Sequence, residues 1–513
     1  MLSFILRRVF VSALLLLGAA FIMYQLTAAS GDPLQHLREG NDPNKEQLMR
    51  LLSERLDLDV PAPLRFFLWL GGAAQCLVPF AGTCDLGVNI LNQPVTALLP
   101  IALTSTVQLL SASTVLAIVF GVIIGIVSAL RQNSGFDFSV TFLVFLMFSL
   151  PSFFIAVLLK EFIAIGFNDF LSAPEISPLL IVGIAVVAGI IWQSMVGGVA
   201  RRRATIFAIS ALATGGVVAY MSVTDWFRFP GLGPVVVSLV SIGIAVLLAT
   251  LLSGLASRRG LVTGLVVAAL GIVTYFLVQP LFNISTIWTV IIVGAIFTTV
   301  GVAVGFFAGG YDRGVHMRIG GFTAFLTFLV IVLDRSMQAW NSYFTNSAIN
   351  GRPIATVGSS TPTLRGDMWV LGLDTFTHFL LPTLALVLIS LASYTRYVRA
   401  GMLEVLNQDY IRTARAKGLS ERSVVMRHAF RNSLIPLATF IPVDIASIVG
   451  GAIITEQVFS ISGMGQLFIR SLQNVDPNPV MAYFVIVSIV VLIANLVADL
   501  SYAVLDPRVR APQ

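Results

Sequence analysis

Apolar residues along this chain fall in long runs separated by short polar segments, and that pattern sets its architecture. A helix crossing a bilayer needs about 20 mostly apolar residues. Runs of roughly that length or more lie near 9–29, 99–129, 140–166, 178–198, 205–223, 233–254, 261–280, 286–308, 319–333, 377–395, 434–456 and 480–504. The pattern predicts an all-α polytopic membrane protein of about twelve transmembrane helices. Arg7 and Arg8 precede the first run, as they would in a cleaved signal peptide. The length of that run, and the lack of a small-residue cleavage pattern before Gly31-Asp32-Pro33, favour a retained helix.

The polar segments fix the orientation. If the N-terminus is cytoplasmic and the spans alternate, Arg7/Arg8, Arg131, 201–203, Arg258/Arg259, Arg313/Arg318, the basic residues of 396–431 and Arg508/Arg510 all fall on one side. Short cytoplasmic loops collect Lys and Arg in this way, so both termini are expected inside. The long external segment 30–97 carries helical spacing at Leu48, Leu51, Leu52 and Leu56, which predicts a small packed cap. A second external segment, 334–376, is rich in Ser, Thr, Gly and Pro.

Composition agrees with this reading. Of the residues, 57% are hydrophobic and 11% charged, with a mean hydropathy of +0.91. Soluble domains carry about 25% charged residues, so a soluble or disordered chain is excluded. The net charge of +6 follows from the loop bias and is no argument for nucleic-acid binding. No GxxxxGK[ST] phosphate loop occurs, so any ATP must be bound by a partner. His36, His316, His378 and His428 are scattered without metal-ligand spacing, and no metal site is expected. Cys76 and Cys84, both on the predicted outside, are candidates for a local disulfide, the alternative being two free thiols.

One cytoplasmic segment, 403–435, stands apart. It is too polar to cross a bilayer and too periodic for a plain linker. Leu403, Leu406, Tyr410 and Ala414 recur at helical steps and predict one apolar face. Arg415 and Lys417 followed by Gly418 form a helix stop, because Gly adopts the left-handed cap cheaply. Ser420-Glu421 can cap a second helix. The result is a helix–Gly–helix elbow, shaped either to dock on another protein or to lie on anionic lipid.

The stretch Asp409-Tyr410-Ile411-Arg412-Thr413-Ala414-Arg415-Ala416-Lys417-Gly418-Leu419-Ser420 resembles the EAA loop of ABC-importer permeases, in the dipeptide/oligopeptide/nickel branch. Ala414 and Gly418 keep the second Ala and the Gly of the motif. Arg412 and Thr413 replace its Glu and first Ala, and His428-Ala429-Phe430-Arg431 stands where I-x-L-P is general. Further matches follow in order: Gly31-Asp32-Pro33, Leu150-Pro151-Ser152-Phe153, Glu456-Gln457-Val458-Phe459-Ser460 before Gly463-Met464-Gly465, and Leu505-Asp506-Pro507-Arg508-Val509-Arg510. Ile461-Ser462 departs from the usual Trp-Pro. The resemblance covers 1–170, including the external segment 30–97, and 375–513, including the loop 403–435. It leaves 171–374 as an inserted module of six spans within a six-helix core.

The resemblance implies a permease subunit that forms the pathway for di- or oligopeptides. Its implied partners are separate ABC ATPase subunits that bind ATP and Mg, a second permease subunit, an extracytoplasmic solute-binding protein and membrane lipid. Asp409, Tyr410, Arg412, Ala414, Arg415, Ala416, Lys417, Gly418, Leu419 and Ser420 would contact the ATPase, with Ala414 and Gly418 giving close approach. Pro151, Asp444 and Glu456 are candidates for lining or gating the pathway. Charges inside spans are costly and need partners. Lys160 and Glu161 are expected to pair or snorkel, and Asp499 to meet backbone or an Arg. The inserted spans, almost free of charge, read as a lipid-facing or packing module. The competing readings are a self-contained twelve-span secondary transporter, which would not need the elbow, and a membrane scaffold that uses the elbow for regulation.

Overall fold

The computed structural model describes residues 2–40, 43–76, 84–254 and 257–505. The end of the C-terminal sequence match, 506–510, lies outside the described residues. Among the described residues there is no strand, only an isolated bridge between Val88 and Pro94. Ten helices are long and apolar enough to cross a membrane, or up to twelve if two sharply bent helix pairs each count as one span. The chain is an all-α, multi-pass membrane protein. It divides into two compact units: 1–163, 356–359 and 379–513 in one, and 164–355 with 360–378 in the other.

Val95–Leu130, in the first unit, is a helix of 36 residues, and Met368–Leu406, which belongs to that unit from residue 379 on, is one of 39. Each is longer than the ~30 Å hydrocarbon core requires. The apolar run 377–395 therefore marks only the middle of its helix. The residues from Arg396 to Leu406, expected as loop, continue it, because Val398 and Met402 pack in an apolar cluster with Ile411, Val424 and Ala429. The two long helices pack closely where glycine removes a side chain. A Cβ on Gly121 would lie 2.6 Å from Tyr394 Cβ, and one on Gly125 2.8 Å from Val398 Cβ.

The third predicted span is not a single rod. Gly135–Ser149 and Ser152–Ser172 meet at 105°. Pro151 has no N–H to give, and it pushes Leu150 out of helical geometry, to φ −84° and ψ 133°. A π-helical turn, Leu159–Ile165, follows within the second arm. Lys160 does not pair with Glu161. Its Nζ donates to the Val458 carbonyl at 3.1 Å, a backbone acceptor near a helix end. Arg8 forms an ion pair with Asp499.

The external segment folds as short helices. In Lys45–Arg55 and after it, Leu52 and Leu56 pack with Leu34, while Leu48 and Leu51 remain exposed. The predicted apolar face is thus narrower than the leucine spacing suggested. Cys76 and Cys84 are joined by a disulfide.

The second unit contains Pro178–Val196, Ala200–Val223, Gly233–Leu252, Arg258–Phe282, Ile287–Ala308 and Arg313–Gln338. The last two approach through glycine: a Cβ on Gly301 would sit 2.5 Å from the Gly320 carbonyl oxygen. Close backbone approach of this kind is the usual basis of helix association in lipid. The sequence assigned Asp334 to an external loop. It is instead fully buried near the end of Arg313–Gln338. Its carboxylate accepts from Leu232 N at 2.7 Å, Gly233 N at 3.0 Å, Tyr275 Oη at 2.8 Å and Gln338 Nε2 at 2.7 Å. The module therefore does hold a buried charge, satisfied from three sides.

Candidate functional site

The elbow begins where Met368–Leu406 ends. Gln408 is extended, with φ −73° and ψ 150°, and Asp409 opens the helix Asp409–Ala416. An acid in the first turn faces the positive end of the helix. The chain reverses at Gly418, whose φ is +76°. A Cβ there would meet nothing within 4 Å. The left-handed backbone, not crowding, is what calls for glycine. Ser420 then caps the next helical segment, its Oγ accepting from Ser423 N at 3.4 Å. That segment widens into a π-helical turn over Val424–Ala429.

Arg415 and Glu421 clasp the reversal. Arg415 Nη2 donates to Oε1 at 2.7 Å and Nε to Oε2 at 3.2 Å. The guanidinium holds the Glu421 carboxyl below the usual carboxylate range. Both side chains face water, so the pair contributes only about 0–1 kcal/mol. Its geometry, two parallel bonds across a glycine turn, fixes the shape of the bend more than its stability.

The apolar face of the elbow differs from the one predicted. Leu403 and Leu406 belong to the preceding helix, because the break at Gln408 interrupts the register. Tyr410 is 42% exposed, whereas Ile411 is fully buried. Burying Ile411 stabilises the elbow by about 1.5–3 kcal/mol. Ala414 is also buried, in one cluster with Val398, Met402, Val424 and Ala429. Its small side chain therefore admits this chain's own helices. Asp409, Tyr410, Arg412, Arg415, Ala416, Lys417, Gly418, Leu419 and Ser420 are exposed and together form the outward surface.

An ion pair absent from the sequence reading holds the helix that carries the elbow. Asp137 is 3% exposed. It accepts from Arg399 Nε at 2.8 Å, Arg399 Nη2 at 2.9 Å, Ser128 Oγ at 2.5 Å and Asn133 N at 3.1 Å. Ser134 caps the helix in which Asp137 lies, accepting from Asp137 N. The Ser134-to-Asp137 spacing was a visible cap signal; its distant partner was not.

The gate candidates lie elsewhere. Glu456 is fully buried. Its carboxylate accepts from Thr106 Oγ1 at 2.6 Å and from Gln466 N at 3.0 Å, and Thr106 Oγ1 accepts in turn from Met464 N at 2.8 Å. A carboxyl group thus sits on the N-terminal turn of Met464–Gln473, where the helix presents free N–H groups. A Cβ on Gly463 would lie 2.4 Å from this carboxyl group, which explains Gly463. Ser460 takes the left-handed conformation at φ 50°, and Ile461 is fully buried at the turn. Ala452–Phe459, the end of the helix Ile435–Phe459, and Met464–Gln473 form the second sharply bent pair, at 81°. Asp444 accepts from the buried Tyr394 Oη at 2.7 Å. Glu456 lies about 30 Å along its helix from the elbow end, at ~1.5 Å per residue. The structure does not gather the elbow and Glu456 into one site, and Pro151 serves as the helix break described above.

Comparison with known proteins identifies the family. Residues 260–511 match the family described as binding-protein-dependent transport system inner membrane component. That match starts inside the segment that the motif resemblance left uncovered. The oligopeptide transport system permease protein OppB of Mycobacterium tuberculosis is 37% identical over 226 residues, 43% of this chain and 68% of the relative. The oligopeptide transport system permease protein AppB of Bacillus subtilis is 45% identical over 136 residues, 26% of this chain and 43% of the relative. The dipeptide transport system permease protein DppB of Escherichia coli K12 is 42% identical over 138 residues, 27% of this chain and 41% of the relative. With its apolar helices and its glycine-turned elbow, this chain belongs to the binding-protein-dependent inner membrane permeases, in the OppB/DppB-like branch of ABC-transporter permeases.

Proposed function

We propose that this chain is the permease subunit of an ABC importer that carries peptides across the bacterial cytoplasmic membrane. The observation that carries the reading is the elbow. An outward polar surface is held at a fixed angle by Gly418 and the Arg415–Glu421 clasp, and seated by Ile411 on the helix Met368–Leu406. A push on that surface reaches the membrane through packed side chains. The names of the relatives support peptides as the cargo class.

In this reading separate ATPase subunits bind ATP and Mg and dock on 409–420. A solute-binding protein delivers peptide outside, and a second permease subunit completes the pathway. Residues 171–374 act as an accessory membrane module inserted in the core. Glu456 keeps the external turn shut by holding the Met464–Gln473 helix, and Asp444 with Tyr394 braces the bundle.

The test is co-purification in mild detergent, combined with ATP-driven uptake of labelled peptide. Leu419 is 42% exposed, so Leu419→Asp alters the outward surface without disturbing the core. We expect wild type to bring down an ATPase and the variant to lose it while staying inserted, with uptake abolished. Stable, intact wild type that brings down no ATPase, or uptake that survives in the variant, would sink the proposal. Gradient-driven uptake that is indifferent to the elbow would instead identify a secondary transporter.

A further inference from the structure

The second unit contains a cavity of about 490 Å³ built from helix ends. Its walls come from the first turn of Ile287–Ala308, the last turns of Arg313–Gln338, the start of Met368–Leu406 and the loop 226–230. Phe167, Trp226, Phe227, Trp340, Trp369 and Phe376 line it. The size lies in the ~300–1,000 Å³ range of small-ligand sites. Four of the six tryptophans, Trp226, Trp288, Trp340 and Trp369, lie at this end of the unit. Tryptophan collects at the boundary between headgroups and hydrocarbon. Arg201, Arg258 and Arg313 lie at the opposite helix ends, which places the cavity at the extracytoplasmic boundary.

The polar groups of the cavity narrow the choice of occupant. Trp369 Nε1 donates to the Phe282 carbonyl at 2.8 Å, and Trp226 Nε1 to the Gly231 carbonyl at 3.0 Å. Ser336 Oγ donates to the Val332 carbonyl at 3.0 Å. Trp340 Nε1 is buried with no acceptor. A buried donor without an acceptor is costly and calls for one. Arg335 lies with its guanidinium carbon 5.9 Å from the centre of the Trp369 ring. It donates to Asn283 Oδ1 at 3.0 Å and Gln338 Oε1 at 3.3 Å, while its Nε has no acceptor. Among the described residues no carboxylate pairs with it. The cavity thus combines an apolar interior with one spare donor, Trp340 Nε1, and Arg335, outside the lining but beside its Trp369 wall, adds a cation. Ile287 and Phe376 line it and are each 57% exposed, so it opens on the apolar surface of a membrane-embedded unit.

We infer that this cavity holds an acyl chain of a membrane phospholipid, its ester carbonyl accepting from Trp340 and its phosphate drawn to Arg335. The bilayer supplies that ligand at the level where the cavity opens. An apolar chain satisfies the aromatic walls, and an acceptor-rich, anionic head satisfies the donors. The accessory module then carries a fixed structural lipid.

Gly372 provides a clean test. It lines the cavity within a helix, and a Cβ there meets nothing within 4 Å. A side chain can therefore start at this position unobstructed, and leucine, bulky enough to occupy cavity space, is a better helix former than glycine. Wild type, Gly372→Leu and Gly372→Ala are purified from the same membranes and washed with detergent. Retained phospholipid is counted by mass spectrometry, and thermal unfolding is recorded in parallel. We expect wild type and Gly372→Ala to retain phospholipid, and Gly372→Leu to retain ~tenfold less or lower while unfolding no earlier. A second arm uses Arg335→Gln: the anionic enrichment of wild-type lipid over the bulk membrane should vanish. Equal retention by a well-folded Gly372→Leu, a lipid-free wild type, or a co-purified polypeptide protected by the cavity would overturn the inference. Unchanged headgroup selectivity in Arg335→Gln would overturn the role of the cation.

Discussion

Removing Arg399 should unsettle this permease more than removing its partner Asp137, and the structure says why. Asp137 has 4% of its side chain exposed and Arg399 has 30%. Without Arg399 the carboxylate stays buried, keeping only Ser128 Oγ and Asn133 N as donors. Breaking a buried pair in this way costs about 3–5 kcal/mol. Without Asp137 the guanidinium can still turn toward water on its flexible stem. The loss is then the one orphaned buried donor, the Ser128 hydroxyl, about 1–3 kcal/mol, because Asn133 is exposed and its N–H can meet water. Arg399→Leu should therefore be the worse single variant. The double variant, Asp137→Leu with Arg399→Leu, has no charge left to bury and should also cost about 1–3 kcal/mol. The two changes are thus less than additive. Unfolding titrations in mixed micelles give these differences, and ATP-driven uptake follows the elbow that the Arg399 helix carries. Arg399→Leu within ~0.5 kcal/mol of wild type, or strict additivity in the double variant, would refute the reasoning.

Other expectations follow from the same geometry. Gly418→Ala puts a Cβ on a residue at φ +76° and should cost about 1 kcal/mol; ATPase retention should fall while membrane insertion, read by accessibility labelling, is unchanged. Glu456→Gln keeps the size of the side chain but leaves one acceptor oxygen where two now accept, from Thr106 Oγ1 and Gln466 N, and should lower the unfolding midpoint and raise proteolysis of 460–475. Asp476 is buried and accepts from Ile90 N at 2.9 Å; burial raises its carboxyl to about 6. A folded value above the unfolded one of about 3.9 means that the folded state holds the proton more tightly. The penalty from Asp476 is therefore full above pH 6 and fades as pH falls toward 4. Asp476→Asn should remove that part of the pH dependence of unfolding, and an unchanged slope would contradict it.

Much of this molecule was written in local pattern. Membrane spans are legible because lipid offers no partner to the backbone, so each crossing must be a helix with an apolar surface. The elbow was legible for a local reason too: Gly418 needs a left-handed backbone, and Ser420 needs an unpaired N–H, and both act within a few residues. The bend at Pro151 was written as well, yet an apolar run hid it, because hydropathy counts composition and not direction.

Tertiary structure decided which polar groups meet. Asp137 finds Arg399, 262 residues away, and Glu456 finds Thr106, 350 residues away. Asp334, placed in a loop by its charge, is buried because backbone N–H groups at 232 and 233, a tyrosine and a glutamine converge on it. A carboxylate enters an apolar interior only where enough donors arrive together. Helices fix their own donors within one turn, but packing alone decides which distant side chains share a space. For that reason the spans and the elbow could be read from the chain, whereas the ion pair behind the elbow, the carboxyl group on the Met464–Gln473 turn and the aromatic cavity required the folded molecule.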